Sequence, residues 1–311
     1  MKKHLSPILL FAAALIWGFA FVAQKAATAV PPFTICASRG IIAVIALSVI
    51  IVVFDKIGGG KRSLFSKKGI DLSRKELIGG AVCGTLLFIA TALQQTGLAD
   101  TDAGKASFIT ALYVVIVPIF GMLIHRPAPI NALIGVFIAI LGFYLICIKK
   151  GVGIAPSDLL ITLCAFCFAA QIIAIDISVE GSDGIRLSLV QFATMTVLSF
   201  IFSLVFEGIG AYASVLDCIP EILYLGIGSS GIAYTLQILG QKHTHPAVAS
   251  IILSMESVFG AIASAIVLGE RMITREYLGC AVVLAAVIIS QLDLSSIRAY
   301  ASNKTAKKTV S

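Results

Sequence analysis

The stretch of sequence that decides the fold occurs twice. Residues 93–109 read LQQTGLADTDAGKASFI, and residues 236–252, which lie 143 positions later, read LQILGQKHTHPAVASII. Both copies keep a Leu-Gln pair, a glycine three residues further on, and an Ala-Ser-x-Ile group, all within strongly apolar sequence. Similarity at a fixed spacing is the signature of a chain built from repeated structural units. The sequence therefore predicts two copies of one unit.

The composition indicates that this unit lies in a membrane. Of the 311 residues, 59% are hydrophobic and only 13% are charged, and the mean hydropathy is +1.03. An ordinary soluble domain has about 25% charged residues. A chain with about half that share of charge does not bury its apolar surface in one aqueous core, so lipid must solvate most of it.

Apolar segments of spanning length are spread along the whole chain. A spanning helix needs about 20 mainly apolar residues, and segments this long are too continuous for the strands of a barrel. The ten segments that qualify are 8–27, 33–54, 77–98, 104–124, 129–148, 158–178, 187–206, 220–241, 247–268 and 276–292. The predicted fold is all-α, with ten transmembrane helices in two five-helix repeats (residues 1–150 and 151–295) and a basic cytoplasmic tail (residues 296–311).

The distribution of positive charge predicts the orientation. Alternating assignment of the loops places 16 Lys and Arg residues on one side and six on the other. The positive-inside rule then predicts a multi-pass protein of the cytoplasmic membrane with both termini in the cytoplasm. Five helices per repeat is an odd number, so the two repeats must have opposite orientations. The net charge of +7 is explained by these helix ends, and nucleic acid is not an expected partner.

Glu256 is the most informative ionisable residue because it lies near the middle of the ninth predicted span. A charged group deep in a span costs at least about 2.5 kcal/mol, so it needs a partner, water or a function. Gly260 and Ser264 follow on the same stripe of the helix, which predicts close packing and a Glu256 side chain that faces the bundle interior. Two interpretations remain open here: a carboxylate that couples transport to protons or binds substrate, and a structural carboxylate bonded to a neighbouring helix.

Other polar residues at membrane depth predict a wet interior. Arg39 lies seven residues into the second span; the expected role of this charge is structural, either reaching outward or pairing with a carboxylate. Amide, hydroxyl and aromatic groups recur on five helices, and together they favour a cavity for a small amphiphilic or zwitterionic solute over isolated contacts between helices. The predicted substrate-binding residues are Gln24, Gln94, Tyr113, Gln171, Ser230, Tyr234 and Gln237. The glycines from Gly226 to Gly231 further predict flexible or broken backbone in the eighth helix.

Catalysis and cofactors have little support in the sequence. Cys164 and Cys167 have the spacing of a redox or metal pair, but no second pair or nearby histidine completes a site, so no metal or cofactor is predicted. The Gly228-to-Gly231 segment resembles the serine motif of intramembrane rhomboid-type proteases. A catalytic serine needs a base at the same depth, whereas the four histidines fall at helix ends or in loops. The protein is therefore not expected to be an enzyme, and the protease is kept as a distant alternative.

Five segments of the sequence follow a pattern that is known from one family of membrane proteins. They are Trp17-Gly18…Phe21-Val22-Ala23…Lys25, Pro31-Pro32-Phe33…Arg39, Ala106-Ser107-Phe108-Ile109-Thr110, Met255-Glu256-Ser257-Val258-Phe259 and Leu268-Gly269-Glu270-Arg271. In these segments and their order the chain resembles, over residues 8–292, the EamA-type members of the drug/metabolite transporter superfamily. The sequence departs from the family pattern at His125-Arg126, the counterpart of Gly269-Glu270. It also departs at Ser257, where the family often has proline, which puts a proline kink in the ninth helix in doubt.

This resemblance implies a central cavity, alternating access by rocking of the two halves, and export or exchange of small metabolites; it adds weight to Glu256 as the coupling residue. The predicted function is export of small organic metabolites, amino acids or related compounds, with proton coupling as a candidate mechanism. A facilitator or exchanger of sugars, nucleotide-sugars or organic anions, with Lys25 or Lys105 binding the anionic group, is the alternative. The expected partners are a small-molecule substrate and the lipid bilayer, and the sequence leaves open whether the chain forms a homodimer.

Overall fold

The computed structural model describes residues 5–57, 65–66, 69–147, 155–267, 269 and 274–291 of the chain. The basic tail, the boundary segment that includes Lys149 and Lys150, and Glu270 lie outside the described residues. The helices are α1 (Ser6–Ala26), α2 (Pro32–Ile57), α3 (Arg74–Leu98), α4 (Ala103–Thr110), α5 (Tyr113–Leu123), α6 (Ile130–Cys147), α7 (Pro156–Val179), α8 (Gly184–Phe206), α9 (Ile219–Leu223), α10 (Tyr234–Gln241), α11 (Pro246–Leu253), α12 (Met255–Val267) and α13 (Thr274–Gln291). A 3₁₀ segment, Ile209–Cys218, precedes α9, and a π-helical segment, Tyr224–Ala233, joins α9 to α10. The strands β1 (Phe65–Ser66) and β2 (Gly69–Ile70) form a short antiparallel hairpin between α2 and α3.

The prediction of ten membrane crossings is confirmed. Within the described residues, eight segments are long and apolar enough to span a membrane, and two shorter apolar helices cover Ile130–Leu145 and Tyr277–Gln291. The shorter two, α6 and α13, pack antiparallel along their length. The Asn131 side chain donates to the carbonyl of Ser290 at one end, and Arg275 donates to the carbonyl of Leu145 at the other. Their ends therefore lie at the same depths.

The two halves have opposite orientations, as predicted. We call the membrane side at which α1 begins the near side and the other the far side. Far-side contacts join the end of α1 to the end of α3, through Lys25 and the carbonyl of Leu98, and the starts of α4 and α7, through Lys105 and Asp158. A near-side contact joins the end of α2 to the start of α8, through Asp55 and Arg186. Thus α1 runs from near to far, whereas its counterpart α7, the first helix of the second half, runs from far to near.

Two helix starts on the near side, those of α3 and α8, are fixed by capping side chains. Ser73 and Glu76 form a reciprocal capping box at the start of α3, and Glu76 also accepts a hydrogen bond from the backbone N–H of Asp183. Asp183 in turn caps α8 by accepting from the N–H groups of Ile185 and Arg186. Such side chains bond the otherwise unpaired N–H groups of a first helical turn. The caps therefore link the starts of α3 and α8.

The fourth and ninth spans are each interrupted at equivalent positions. Helix α4 ends at Thr110 and helix α11 at Leu253, 143 residues further on, and each is followed after a short break by a second helix. The second interruption falls at Ser254, and Ser257, where proline is missing, lies in the first turn of the following helix α12. Here Ser254 and Ser257 donate their hydroxyls to backbone carbonyls three residues earlier, a competing bond that bends helices. The resemblance left the kink in doubt because of Ser257, and serine bonding accompanies it instead.

The eighth span differs from its predicted form. We expected flexible or broken backbone from Gly226 to Gly231, but the chain is continuously helical there, in the π form. Gly226 is needed because α2 lies against it: a Cβ at Gly226 would stand 2.6 Å from the Cβ of Ile42. Single π turns are often found at functional positions. The glycines thus serve close helix packing and a wide helical turn.

Candidate functional site

A small cavity lies between the two halves at membrane depth. Its residues come from α1, α2, α3, the fourth span, α7, the π segment, α10 and the ninth span. They are Trp17, Ala20, Phe21, Gln24, Arg39, Gln94, Thr110, Tyr113, Phe168, Gln171, Ile172, Ser229, Tyr234, Gln237, Leu253 and Glu256. The mixture of apolar walls and a few converging polar groups is typical of a small-molecule site.

Equivalent positions of the two repeats line this cavity. Three residues of the first half that line the cavity have a counterpart 143 positions later that also lines it. The pairs are Gln94 and Gln237, Thr110 and Leu253, and Tyr113 and Glu256. Tyr113 begins α5 and Glu256 is the second residue of α12, so both follow directly on the helix interruptions. Their side chains meet in the cavity. The symmetry-related elements therefore form one shared site.

Some polar atoms in the cavity have no hydrogen-bond partner among the described residues. The carbonyl oxygens of Gln24 and Gln237 are buried without a hydrogen bond, and the Tyr113 hydroxyl and the Glu256 carboxyl have no hydrogen-bond partner among the described residues other than each other. These four side chains are each at most 5% exposed. A buried polar group without a partner costs about 1–3 kcal/mol, so native proteins keep such groups only where water or a ligand completes them. The cavity thus offers acceptors and a hydroxyl to an occupant.

A chain of amides fixes the second-half wall. Gln237 donates through Nε2 to Oε1 of Gln171, and Gln171 donates to Oε1 of Gln191, both at 3.2 Å. On the first-half wall Gln94 donates to the hydroxyl of Thr110 at 3.1 Å. Each bond orients an amide whose remaining groups line or approach the cavity. These side chains are therefore held in position before any solute enters.

Arg39 lies at the cavity wall and is only 3% exposed. Its Nε donates to the hydroxyl of Ser230 at 2.8 Å, and its Nη2 donates to the hydroxyl of Ser229 at 3.0 Å. The indole of Trp17 donates to the carbonyl of Ser229 and its ring packs against Tyr234 with centroids 4.6 Å apart. We expected Arg39 either to reach outward or to pair with a carboxylate; it does neither within the described chain.

The structure brings most of the predicted binding residues together. Six of the seven, together with Glu256, line the cavity: Gln24, Gln94, Tyr113, Gln171, Tyr234 and Gln237. Ser230 instead supports Arg39 from outside the lining, and its neighbour Ser229 is the lining residue. Sequence reasoning missed Gln191 and Ser229. Gln191 carried a usable signal because it is an amide inside an apolar span, as Gln171 is.

Polar contacts join the two halves at both ends of the bundle. On the far side Lys105 forms an ion pair of 2.6 Å with Asp158, and Thr101 donates to the hydroxyl of Ser157 at 3.0 Å. On the near side Arg126 pairs with Asp176. The cavity volume is about 30 Å³, counted as space for the centre of a water molecule. A single water occupies at least about 10–15 Å³ on this measure, so any metabolite requires the helices to move apart.

The geometry gives the protease alternative no base beside its serines. The hydroxyls of Ser229 and Ser230 accept hydrogen bonds from Arg39, a group that does not take up a proton. The described histidines, His125, His243 and His245, lie in the connections between helices on the near side. Activation of a serine needs a base within hydrogen-bond reach, which no described histidine provides here.

A polar cavity at membrane depth between two inverted helical repeats is typical of multi-pass membrane transport proteins. Comparison with known proteins then identifies the family. The model of the EamA-like transporter family matches the chain twice, over residues 4–148 and 155–292. This protein belongs to the EamA-like transporter family.

Two further similarities agree with this assignment. An uncharacterized transporter of Archaeoglobus fulgidus is 32% identical over 218 residues, which are 68% of this chain and 68% of that protein. A solved crystal structure shares the fold with a TM-score of 0.72 at 16% identity, covering 93% of this chain and 97% of the other. The relative supports membrane transport, and the solved structure supports the fold.

Proposed function

We propose that this protein is a secondary transporter that exports small organic metabolites, amino acids or related compounds, across the cytoplasmic membrane by alternating access. The observation that carries the proposal is the set of buried polar side chains Gln24, Tyr113, Gln237 and Glu256, with unpartnered carbonyl oxygens on the two amides, which converge from both repeats on one cavity. A structural contact between helices would pair such groups. A transport site leaves them for a solute that enters from either side in turn.

Glu256 is the proposed coupling residue. It is 5% exposed, it directly follows the interruption of the ninth span, and it forms no ion pair among the described residues, where its polar neighbour is the Tyr113 hydroxyl. A carboxyl in this position can exchange a proton or a bound cation each time the cavity opens to one side. The cost of leaving such a group in a span is recovered when it binds and releases its ligand within the transport cycle.

The near side is proposed to be the cytoplasmic side, because the larger number of Lys and Arg residues lies there. In the alternative, exchange of sugars, nucleotide-sugars or organic anions, Lys25 or Lys105 would bind the anionic group. Lys25 instead donates to the carbonyls of Leu98 and Ala99, and Lys105 pairs with Asp158; neither lysine is a cavity-lining residue. This placement favours the exporter.

The test is a comparison of extracellular metabolites from cells that express the parent protein, the Glu256→Gln variant or an empty vector, at matched membrane levels. We expect one solute class to accumulate outside with the parent and not with the variant. Asp217→Asn, which removes a carboxylate from an exposed position outside the cavity, is the matched control and should export as the parent does.

Proton coupling has its own measurement. Efflux from proteoliposomes that contain the parent should follow an imposed pH gradient, and Glu256→Gln should abolish that dependence. The exporter would be refuted if cells with the parent and cells with the empty vector export equally, and if proteoliposomes with the protein and vesicles without it also show equal efflux. Strict exchange of acidic or phosphorylated solutes with no pH dependence would favour the alternative.

A further inference from the structure

Arg39 carries a positive charge that nothing in the described chain neutralises. Its side chain is 3% exposed in the second span, and its hydrogen-bond partners are the neutral hydroxyls of Ser229 and Ser230. Glu207, the carboxylate beside the start of α2, accepts instead from the N–H groups of Phe33 and Thr34. A guanidinium remains charged at any physiological pH, so it cannot avoid the cost of burial by losing its proton.

The other buried arginine of the bundle shows how the fold treats a structural charge. Arg186 has a side chain that is 5% exposed, and it forms ion pairs with both Asp55 and Asp183 at 2.8 and 2.9 Å. Breaking a buried pair by removal of one partner typically costs 3–5 kcal/mol, because the remaining charge has no compensation. Arg39 is a buried charge without an ion-pair partner among the described residues, whereas two carboxylates compensate the charge of Arg186. A structural role alone leaves this unexplained.

The guanidinium of Arg39 is held in a fixed position with donors left over. The two serines come from the π segment, and Gly226 allows this segment to approach the backbone of α2 at Arg39, where an added Cβ would stand 3.2 Å from the Arg39 carbonyl. The bonds to serine use Nε and one hydrogen of Nη2. Within the described chain Nη1 has no hydrogen-bond partner, and Arg39 lines the cavity. The planar fork of arginine suits two-point binding of a carboxylate.

We infer that Arg39 binds the carboxylate of the transported solute, with Ser229 and Ser230 as the residues that position it. Glu256 lines the same cavity, and among the described residues it does not pair with Arg39. A solute that bears both a carboxylate and an ammonium group satisfies both charges at once. This inference rests on the proposed function and deepens it: the substrate class is the amino acid zwitterion, and the selectivity is against the same molecule with its carboxylate removed or capped.

The experiment compares each proteinogenic amino acid with its own carboxamide, which keeps the ammonium and the side chain but lacks the negative charge. Binding is measured on the detergent-purified full chain as the shift of the thermal unfolding midpoint. Transport is measured separately as efflux from proteoliposomes by mass spectrometry. We expect at least one acid to bind and leave the vesicles while its amide does neither.

Three variants locate the selectivity. Arg39→Lys keeps the charge but loses the fork, and should weaken binding of that acid roughly tenfold to a hundredfold, the range for hydrogen bonds to charged groups. Arg39→Gln should abolish the preference for acid over amide. The double variant Ser229→Ala with Ser230→Ala keeps Arg39 but removes the two hydroxyls that position it. It tests the same site if neither Arg39 variant folds. Arg186→Lys is the matched control, which should lower stability and leave the preference for acid unchanged.

The outcomes separate this inference from the proposed function. Amides that bind as well as acids, or an acid preference that survives in Arg39→Gln, would overturn the role of Arg39 while leaving export intact. Acid binding that depends on Arg39 but is followed by no efflux would support the carboxylate site and refute the transporter. Absence of both binding and efflux for every amino acid would overturn the inference.

Discussion

At the scale of single residues, the two halves differ where symmetry brings them closest. Tyr113 and Glu256 occupy equivalent positions after the helix interruptions, and their side chains meet in the cavity. Two carboxylates at this point would repel each other, whereas a phenol beside a carboxylate can donate to it or to a solute. The divergence therefore leaves one acidic group for the whole site.

The buried hydroxyl of Tyr113 allows function to be separated from stability. Tyr113→Phe removes a buried hydroxyl whose only hydrogen-bond partner among the described residues is the Glu256 carboxyl, so we expect the unfolding midpoint in detergent to change little. Transport should fall, because the hydroxyl faces the solute and Glu256. The matched control is Tyr212→Phe: the Tyr212 hydroxyl lies 2.8 Å from that of Ser203, outside the cavity, and its loss should cost about 1 kcal/mol with transport intact. A large loss of stability in Tyr113→Phe would show that its hydroxyl is structural.

Ser230, Tyr234 and Gln237 recur at helical intervals along the eighth span, and this spacing predicts one polar stripe on the helix. Tyr234 and Gln237 line the cavity. Ser230 does not, and its neighbour Ser229 lines the cavity instead. An α-helix has 3.6 residues per turn, but the segment Tyr224–Ala233 is π-helical with a wider turn, so the stripe shifts around the axis. A pattern that assumes one helical period does not detect the change.

At the scale of helices, the predicted spans and their order agree with the structure because apolar length alone determines them. The interruptions of the fourth and ninth spans were not predicted from local sequence, and at the ninth span proline is missing at Ser257. The ninth-span interruption is accompanied by serine hydroxyls that bond back to the backbone, at Ser254 and Ser257. Serine forms such bonds in many uninterrupted helices too, so its presence alone does not predict an interruption.

The start of α11 carries a pH-sensitive cap. His245 accepts a hydrogen bond at Nδ1 from the N–H of Ala247, which requires the neutral ring. Its surroundings include the ion pair of Arg126 with Asp176 and the carbonyl of Pro127. Burial is the main cause that lowers the pKa of His245 below its ordinary value of 6.5, while the Asp176 carboxylate opposes this shift. The folded protein therefore holds His245 neutral where the unfolded chain begins to protonate it.

The sign of the resulting pH dependence follows from linkage. Below pH 6.5 the unfolded chain binds more protons at this site than the folded protein does, so stability is complete above that pH and is lost as the pH falls through it. We expect the unfolding midpoint of the parent to fall between about pH 7.5 and pH 5.5, and that of His245→Asn, which keeps a capping acceptor, to fall less. His125→Asn is the control and should behave as the parent does. Equal falls in the parent and His245→Asn would exclude this cap as the cause.

At the scale of the whole molecule, the proposed transport of a solute through so small a cavity calls for motion of the two halves. Inverted orientation of two similar halves was predictable, because a repeat with an odd number of spans leaves no other arrangement. The ion pairs that join the halves at both ends of the bundle were not predictable, since they bring together side chains from distant helices, such as Lys105 with Asp158 and Arg126 with Asp176. If the halves rock about the cavity, the far-side contacts must separate in every transport cycle.

A reversible cross-link tests that motion. Thr101 precedes α4 in the first half, Ser157 lies at the start of α7 in the second, and their hydroxyl oxygens are 3.0 Å apart. Cysteines at both positions would place sulfur atoms close enough for a disulfide with only small shifts, since the bond is about 2.05 Å long. We expect oxidation of Thr101→Cys with Ser157→Cys to stop efflux from proteoliposomes and a reductant to restore it, while either single variant is insensitive to oxidant. Mass spectrometry of the oxidised protein confirms that the bond has formed. Full efflux through the cross-linked protein would mean that solute leaves without separation of these two helices, and the rocking of one half against the other would have to be abandoned.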